Sequence, residues 1–376
     1  MKCVCISCFD YYSTRMKSII KYFSDKGFDT HYLITNFQHF EKKRYQVNYE
    51  ECQTIQIDVP KYNRNLSMQR LISHHIFAKK VKKYIEDVSP DVIYCMFPPN
   101  SLIKELSVYK DQGKTVIFDC YDMWPESFPT KNIEKWLALP FKLWRNLRDR
   151  YIEKSDLVIC VSEEGKSLIT KIHPNLNVKI LRPAISDETE LQYDFDTSQE
   201  ISFCYLGNIN YITDTSLGVE LLSMIAQKKS VVLHIIGEGQ NKDQFVKELE
   251  GVGVKVVSHG VIFDWNEKNS IFQSCDLGLN IPKDEIQSSM SLKSIEYMHA
   301  GLPFVNSGIG DTHTIVVNQG IGINIDQNNV EKTVSEILSL SSSDLMSMSK
   351  KCRNTYIDMF VNQDLDEILS EYINMR

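Results

Sequence analysis

The segment at residues 288–308, SSMSLKSIEYMHAGLPFVNSG, holds the side chains whose types and spacing speak most directly of chemistry. A serine-rich turn, with Ser288 and Ser291, leads into a short helix expected from about Ser291 to Ala300, and Gly301 stops it. The first N–H groups of a helix lack intrahelical partners and lie at the positive end of its dipole, so they attract phosphate. Lys293 falls in the first turn, where a cation opposes that dipole at a cost of about 0.3–1 kcal/mol. A bound anion such as a diphosphate would offset the cost. Glu296 follows one turn later, placed to accept hydrogen bonds from a pair of sugar hydroxyls. The competing reading is a solvated lysine and glutamate on an ordinary surface helix.

Other stretches place glycine, acid or base at the ends of apolar runs. ISFCYLGN ends in Gly207-Asn208, and no Lys or Arg follows before Lys228. VVLHIIGEG ends in Gly237-Glu238-Gly239, which by itself reads as a simple strand-to-helix turn. FDCYDMWPESF offers Tyr121, Asp122 and Glu126, or else a loop that Asp122 caps while Trp124 packs in the core. Residues 131–154 hold seven bases against three acids, interleaved with Trp136, Phe141, Trp144 and leucines. Such a segment suits the surface of an anionic membrane, with Trp136, Lys142, Trp144, Arg145 and Arg148 as its contacts. The alternative is a half-buried helix with a solvated basic face. Asp364-Leu365-Asp366 imitates a metal-binding triplet but lies in a charged terminal helix, and reads as a solvated face. Of ten cysteines only Cys3, Cys5 and Cys8 cluster, and no second Cys/His group completes a zinc set, so they read as small buried hydrophobes in a reducing cytosol.

The elements that must position these groups alternate. KCVCISCF reads as a buried strand and STRMKSIIKYFSDKGF as a helix with Met16, Ile19, Ile20 and Phe23 on one face. DTHYLIT, DVIYCMF, TVIFDCYD and SDLVICVS follow as strands, with a long helix over NLSMQRLISHHIFAKKVKKYIEDV. Residues 187–200, DETELQYDFDTSQE, carry six acids and no base and read as a linker. The alternation then restarts at 201 and ends in a helical pair over 330–376. Short β-rich runs between amphipathic helices predict parallel sheets covered on both faces. The expected architecture is α/β: a Rossmann-like domain over 1–186, the linker, a second Rossmann-like domain over 201–360, and a C-terminal helix over 361–376. In such a pair the ligand is expected in the cleft where the domains face each other, beyond the carboxyl ends of the strands.

Composition narrows the function. Residues 1–187 hold 29 Lys and Arg against 22 Asp and Glu, a net of +7, while residues 188–376 hold 13 against 27, a net of −14. Two units with different surface partners would produce that split. An acidic chain with no reader motif argues against nucleic acid as a partner. No apolar stretch approaches the ~18 residues that a membrane span needs, and MKCVCISCF lacks the cleavage pattern of a signal peptide.

Glu296, Ala300, Gly301, Pro303 and Val305 resemble the donor-binding signature of the retaining glycosyltransferases of family 4, which have the GT-B fold. In that family the helix glutamate holds the ribose of the nucleotide, and a first glutamate often stands eight positions earlier, where this chain has Ser288. The run Asp122, Trp124, Pro125, Glu126 is similar to the D-x-W-P-E-S of members that make bacterial surface polysaccharides; Tyr121 stands where many relatives have histidine. The resemblance implies a nucleotide-sugar donor, UDP-linked, held by Glu296, Lys293, Ser288, Ser291, Gly207, Asn208 and Gly237. It implies a glycan or polyprenyl-diphosphate-linked acceptor near the catalytic group Asp122, Tyr121 and Glu126, transfer with retention, and no cofactor or metal. The leaving diphosphate would be met by Lys293, backbone N–H groups or Arg182. A cytoplasmic protein peripheral to the inner face of the membrane is the expectation. The alternatives are a non-catalytic subunit of the same fold and a nucleotide-sugar epimerase.

Overall fold

A computed structural model describes every residue except Leu66, 127–133, 184–191, 284–289 and 374–376, and the side chains of 134–138. The chain divides into one unit of Met1–Pro183 with Asp364–Arg376 and another of Ala184–Gln363.

The first unit is built on seven parallel strands: β1 (Lys2–Ser7), β2 (Asp29–Thr35), β3 (Gln53–Ile57), β4 (Val92–Phe97), β5 (Thr115–Cys120), β6 (Leu157–Cys160) and β7 (Val178–Ile180), in the order β3-β2-β1-β4-β5-β6-β7. Every residue of β4, β5 and β6 is buried, as strands covered on both faces require. Strand β3 is not among the strands expected from the sequence; at the sheet edge its QTIQI is exposed at Gln53, half-buried from Thr54 to Gln56 and buried at Ile57. The strand order turns at β1 and β4, so residues following β1, β4 and β5 gather at the switch point where such sheets bind ligands.

The second unit has six parallel strands: β8 (Glu200–Leu206), β9 (Ser230–Ile236), β10 (Lys255–Gly260), β11 (Leu277–Asn280), β12 (Phe304–Asn306) and β13 (Gly322–Asn324), ordered β10-β9-β8-β11-β12-β13. The expected linker is only partly a connection. Phe195 is buried in the second core, Tyr193 stacks on it at 4.8 Å, and the Tyr193 hydroxyl donates to Ala300 O at 3.1 Å.

The expected helical pair over 330–376 is three helices, Val330–Ser339, Ser342–Tyr356 and Leu365–Ile373. The last returns to the first unit. Leu369 and Tyr372 enter the first core, and Asp366 accepts from the Tyr22 hydroxyl at 2.9 Å and pairs with Lys26 at 2.7 Å. The acidic triplet is therefore an anchor and not only a solvated face.

Candidate functional site

Beyond the carboxyl ends of β8, β9 and β10, within the second unit, a cavity of about 440 Å³ is lined by Gly207, Asn208, Gly237, Glu238, Val261, Phe263, Lys268, Lys293 and Glu296, with Leu206, Ile236, Ile262 and Leu292. Its floor is two glycine turns in backbone contact. Gly207 N donates to Ile236 O at 2.8 Å, Gly237 N to Gly260 O at 2.6 Å, and Ile209 N to Glu238 O at 2.9 Å. Gly237 has φ +146°, and a Cβ there would lie 2.1 Å from Gly207 O. Only glycine lets the turns close in this way. Gly237 is thus more than an ordinary turn, although Gly-x-Gly alone is a weak sequence signal.

The helix behind the signature runs Leu292–Ala300, with Ser291 at its N-cap and Gly301 in the left-handed region, φ +73°, at its end. Ser291 does not cap with its side chain; its Oγ donates to Asn280 Oδ1 at 3.2 Å, and its N–H donates to Thr312 Oγ1 at 3.2 Å. Lys293 reaches back over Gly207. Its Nζ donates to the Tyr205 hydroxyl at 2.6 Å and stands 4.1 Å from the Tyr205 ring centre. No carboxylate among the described residues pairs with it, and burial pushes its pKa down to about 8. A desolvated ammonium in a glycine-floored cavity, with no counter-ion among the described residues, is suited to receive an anion.

Glu296 also lines the cavity, and there it is already engaged by Lys268 Nζ. Lys268 lies 5.6 Å from the ring centre of Trp265, which stacks on His299 at 3.9 Å. The sequence reading missed Lys268. It sits in an unremarkable helix, Trp265–Gln273, and only the tertiary fold carries it to Glu296. Ser288 lies outside the described residues.

In the first unit, Tyr121 and Asp122 follow β5 and are half-buried. The Tyr12 hydroxyl donates to Asp122 Oδ2 at 3.1 Å, and the rings of Tyr12 and Tyr121 are 4.5 Å apart. Burial raises the Asp122 carboxyl above its usual range, against the Tyr12 hydrogen bond and the charge of Arg70. Arg70, also unforeseen, is buried with its guanidinium 4.5 Å from the Trp124 ring centre. Trp124 itself is buried in the core, as the alternative reading of this loop had it.

Glu126 does not join Asp122 as a free acid. It accepts from Arg148 Nη1 at 2.6 Å, Arg148 Nη2 at 3.0 Å and Arg145 Nε at 2.8 Å. Burial raises its carboxyl, but the hydrogen bonds and charge of Arg148, with a backbone hydrogen bond and Arg145, together hold it below the usual range. The same contacts correct the membrane assignment. Arg148 is fully buried and donates to Trp124 O at 3.1 Å, so it faces the protein interior. Arg145 is tied to Glu126, and Trp144 packs against Trp124 at 5.4 Å. Of the named contacts Lys142 and Arg145 are exposed, and Lys142 lies beside Leu139 at 67% and Leu143 at 61% exposure on the helix Glu134–Ile152. The side chain of Trp136 lies outside the described residues. Arg182 belongs to the first unit and stands 4.0 Å from Glu163.

Residues 13–188 match the family model described as Glycosyltransferase Family 4, and residues 200–343 that described as Glycosyl transferases group 1. No curated relative matches the chain in sequence. Among solved structures, a sucrose-phosphate synthase from Thermosynechococcus elongatus superposes with a TM-score of 0.70 at 12% identity, over 96% of this chain and 95% of its own. WaaG, a glycosyltransferase involved in lipopolysaccharide biosynthesis, gives 0.64 at 12% identity, over 100% and 99%. HepE of Anabaena, in complex with UDP and glucose, gives 0.63 at 13% identity, over 98% and 99%. With two parallel Rossmann-like sheets and a glycosyltransferase domain signature on each, the chain is built as a glycosyltransferase of the GT-B fold.

Proposed function

We propose that the protein transfers a sugar, with retention of configuration, from a nucleotide-sugar donor, UDP-linked, to a lipid-linked or growing surface-polysaccharide acceptor. The observation that carries the donor half is the second-unit cavity, where Lys293, half-buried and with no carboxylate partner among the described residues, stands over two glycine turns one helical turn from Glu296. Lys293 meets the diphosphate, the Gly207 and Gly237 turns let backbone approach it closely, and Glu296 holds the ribose. That HepE is complexed with UDP and WaaG acts in lipopolysaccharide biosynthesis supports the substrate classes.

Acceptor recognition is assigned to the first unit, with Asp122 and Tyr121 orienting the hydroxyl that attacks. The bond from the sugar to the diphosphate breaks as the bond to the acceptor oxygen forms. The departing phosphate oxygen takes the hydroxyl proton, so positioning and charge stabilisation supply the rate. Exposed Leu139 and Leu143 beside Lys142 support a peripheral membrane location. One observation favours a second reading, a non-catalytic subunit: the run after Gly207 has no base before Lys228. The readings separate when the protein is incubated with UDP-, GDP- and TDP-sugars and both binding and slow donor hydrolysis are followed. Hydrolysis that is lost in Glu296→Ala supports transfer. Binding without turnover, even with glycan acceptors present, favours the second reading; epimerised donor without hydrolysis would overturn both.

A further inference from the structure

Lys268 has no part in the donor site as its sequence signature describes it, yet it forms an ion pair with Glu296. The two side chains line the same cavity, 12% and 21% exposed, and are paired through Lys268 Nζ and Glu296 Oε2. Lys268 is itself held, its Nζ 5.6 Å from the Trp265 ring centre and Trp265 stacked on His299. With Oε2 held by Lys268, Glu296 Oε1 accepts no hydrogen bond from the described residues, and the side chain lines the cavity. A flexible carboxylate would lose rotamer freedom on binding, and an unneutralised one would repel an incoming diphosphate.

We infer that Lys268 is a positioning residue that presents Glu296 to the vicinal 2′- and 3′-hydroxyls of a ribonucleotide, and so makes the site discriminate ribose from 2′-deoxyribose. The inference rests on the donor reading above. A deoxyribose withholds one donor from a charged acceptor in a partly dry cavity, a loss of roughly tenfold or more in affinity. Without Lys268 the carboxylate turns toward water, and that preference fades.

The test is calorimetric binding to the full chain of UDP, GDP and ADP, each against its 2′-deoxy counterpart. The wild type should prefer the ribose form of its nucleotide by about tenfold or more. Lys268→Met should weaken the ribose form by about tenfold and bring the ratio to about three or less, while Lys268→Arg restores most of it. In a Glu296→Gln background, Lys268→Met should change little further, because Lys268 acts through that carboxylate. Thermal melts confirm that each variant is folded. An unchanged ribose preference in folded Lys268→Met, with tight binding by the wild type, overturns this role and leaves the donor reading standing. If no nucleoside diphosphate binds the wild type, both fall together.

Discussion

Replacing Lys293 by methionine should make the free protein more stable and empty the site of its function. Burial holds the Lys293 ammonium at about 8, against 10.5 for an unperturbed lysine. At 1.36 kcal/mol per pH unit, that gap is about 3 kcal/mol of charge desolvation borne by the folded state at neutral pH. Methionine keeps the stem over Gly207 and loses the hydrogen bond to Tyr205, worth about 1 kcal/mol. The Tyr205 hydroxyl is not orphaned, since Thr213 Oγ1 at 2.9 Å and Asn208 O at 3.1 Å remain. The net gain at pH 7 is about 2 kcal/mol, a rise in Tm of roughly 4–8 °C for a unit of this size.

The pH dependence identifies the cause. Between pH 8 and 10.5 the unfolded chain still binds the lysine proton and the folded one does not, so wild-type stability climbs with pH relative to the variant. The wild-type deficit is complete below pH 8 and gone near pH 10.5. Urea melts of both proteins at pH 7, 8, 9 and 10 measure it, because groups common to the two cancel in the difference. Calorimetry with UDP should show binding by the wild type only, weakening above pH 8 as the cation is lost. A variant less stable than wild type at pH 7, or a difference that does not change with pH, would refute the assignment of an unpaired buried charge.

Two further substitutions probe the frame around the site. Gly237→Ala drives a methyl group to 2.1 Å from Gly207 O, against rigid backbone, and should cost at least 2 kcal/mol in a urea melt and abolish UDP binding. Gly251→Ala, at a helix end with nothing within 4 Å, should instead gain about 0.5–1 kcal/mol. Arg148→Met should cost about 3 kcal/mol, because among the described residues Glu126 then keeps only Arg145 as its cation, and should leave sedimentation with anionic vesicles unchanged in what remains folded. Lys142→Ala should do the reverse, weakening vesicle binding with Tm within a degree or two; equal vesicle binding by wild type and Lys142→Ala would remove that residue from any membrane contact.

Period and punctuation made most of the fold legible. Alternating apolar runs and amphipathic helices are local signals, and Gly301 and Gly207 mark turns that need a positive φ whatever surrounds them. Strand β3 escaped because its QTIQI is half polar, as an edge strand can be, and carries no continuous apolar run. The last helix was visible, but not its destination, since nothing near Asp366 tells that Tyr22 and Lys26 will receive it. The same limit governs the sites. Lys293 and Glu296 share one helix, so their spacing alone brings them together. Lys268 and Glu296 are 28 residues apart, and Glu126 and Arg148 are 22 apart. A basic, aromatic segment looks alike whether its arginines face lipid or a buried glutamate, and only packing decides.

The charge imbalance along the chain acquires a physical meaning from the two lysines of the cavity. The second half of the sequence is acidic, a net of −14, and an anionic donor approaching it meets an unfavourable field. The cavity counters that field with two cations treated in opposite ways. Lys268 is neutralised by Glu296, so it contributes order rather than net charge. Lys293 has no carboxylate partner among the described residues, so the desolvation it bears in the free protein is recovered when a diphosphate arrives. A lysine paired in both positions would give a more stable domain with little reason to bind an anion. Two unpaired lysines would repel each other and raise the cost of folding. One of each concentrates the attraction at the phosphates while leaving a fixed carboxylate for the sugar hydroxyls, which a uniformly basic pocket could not supply.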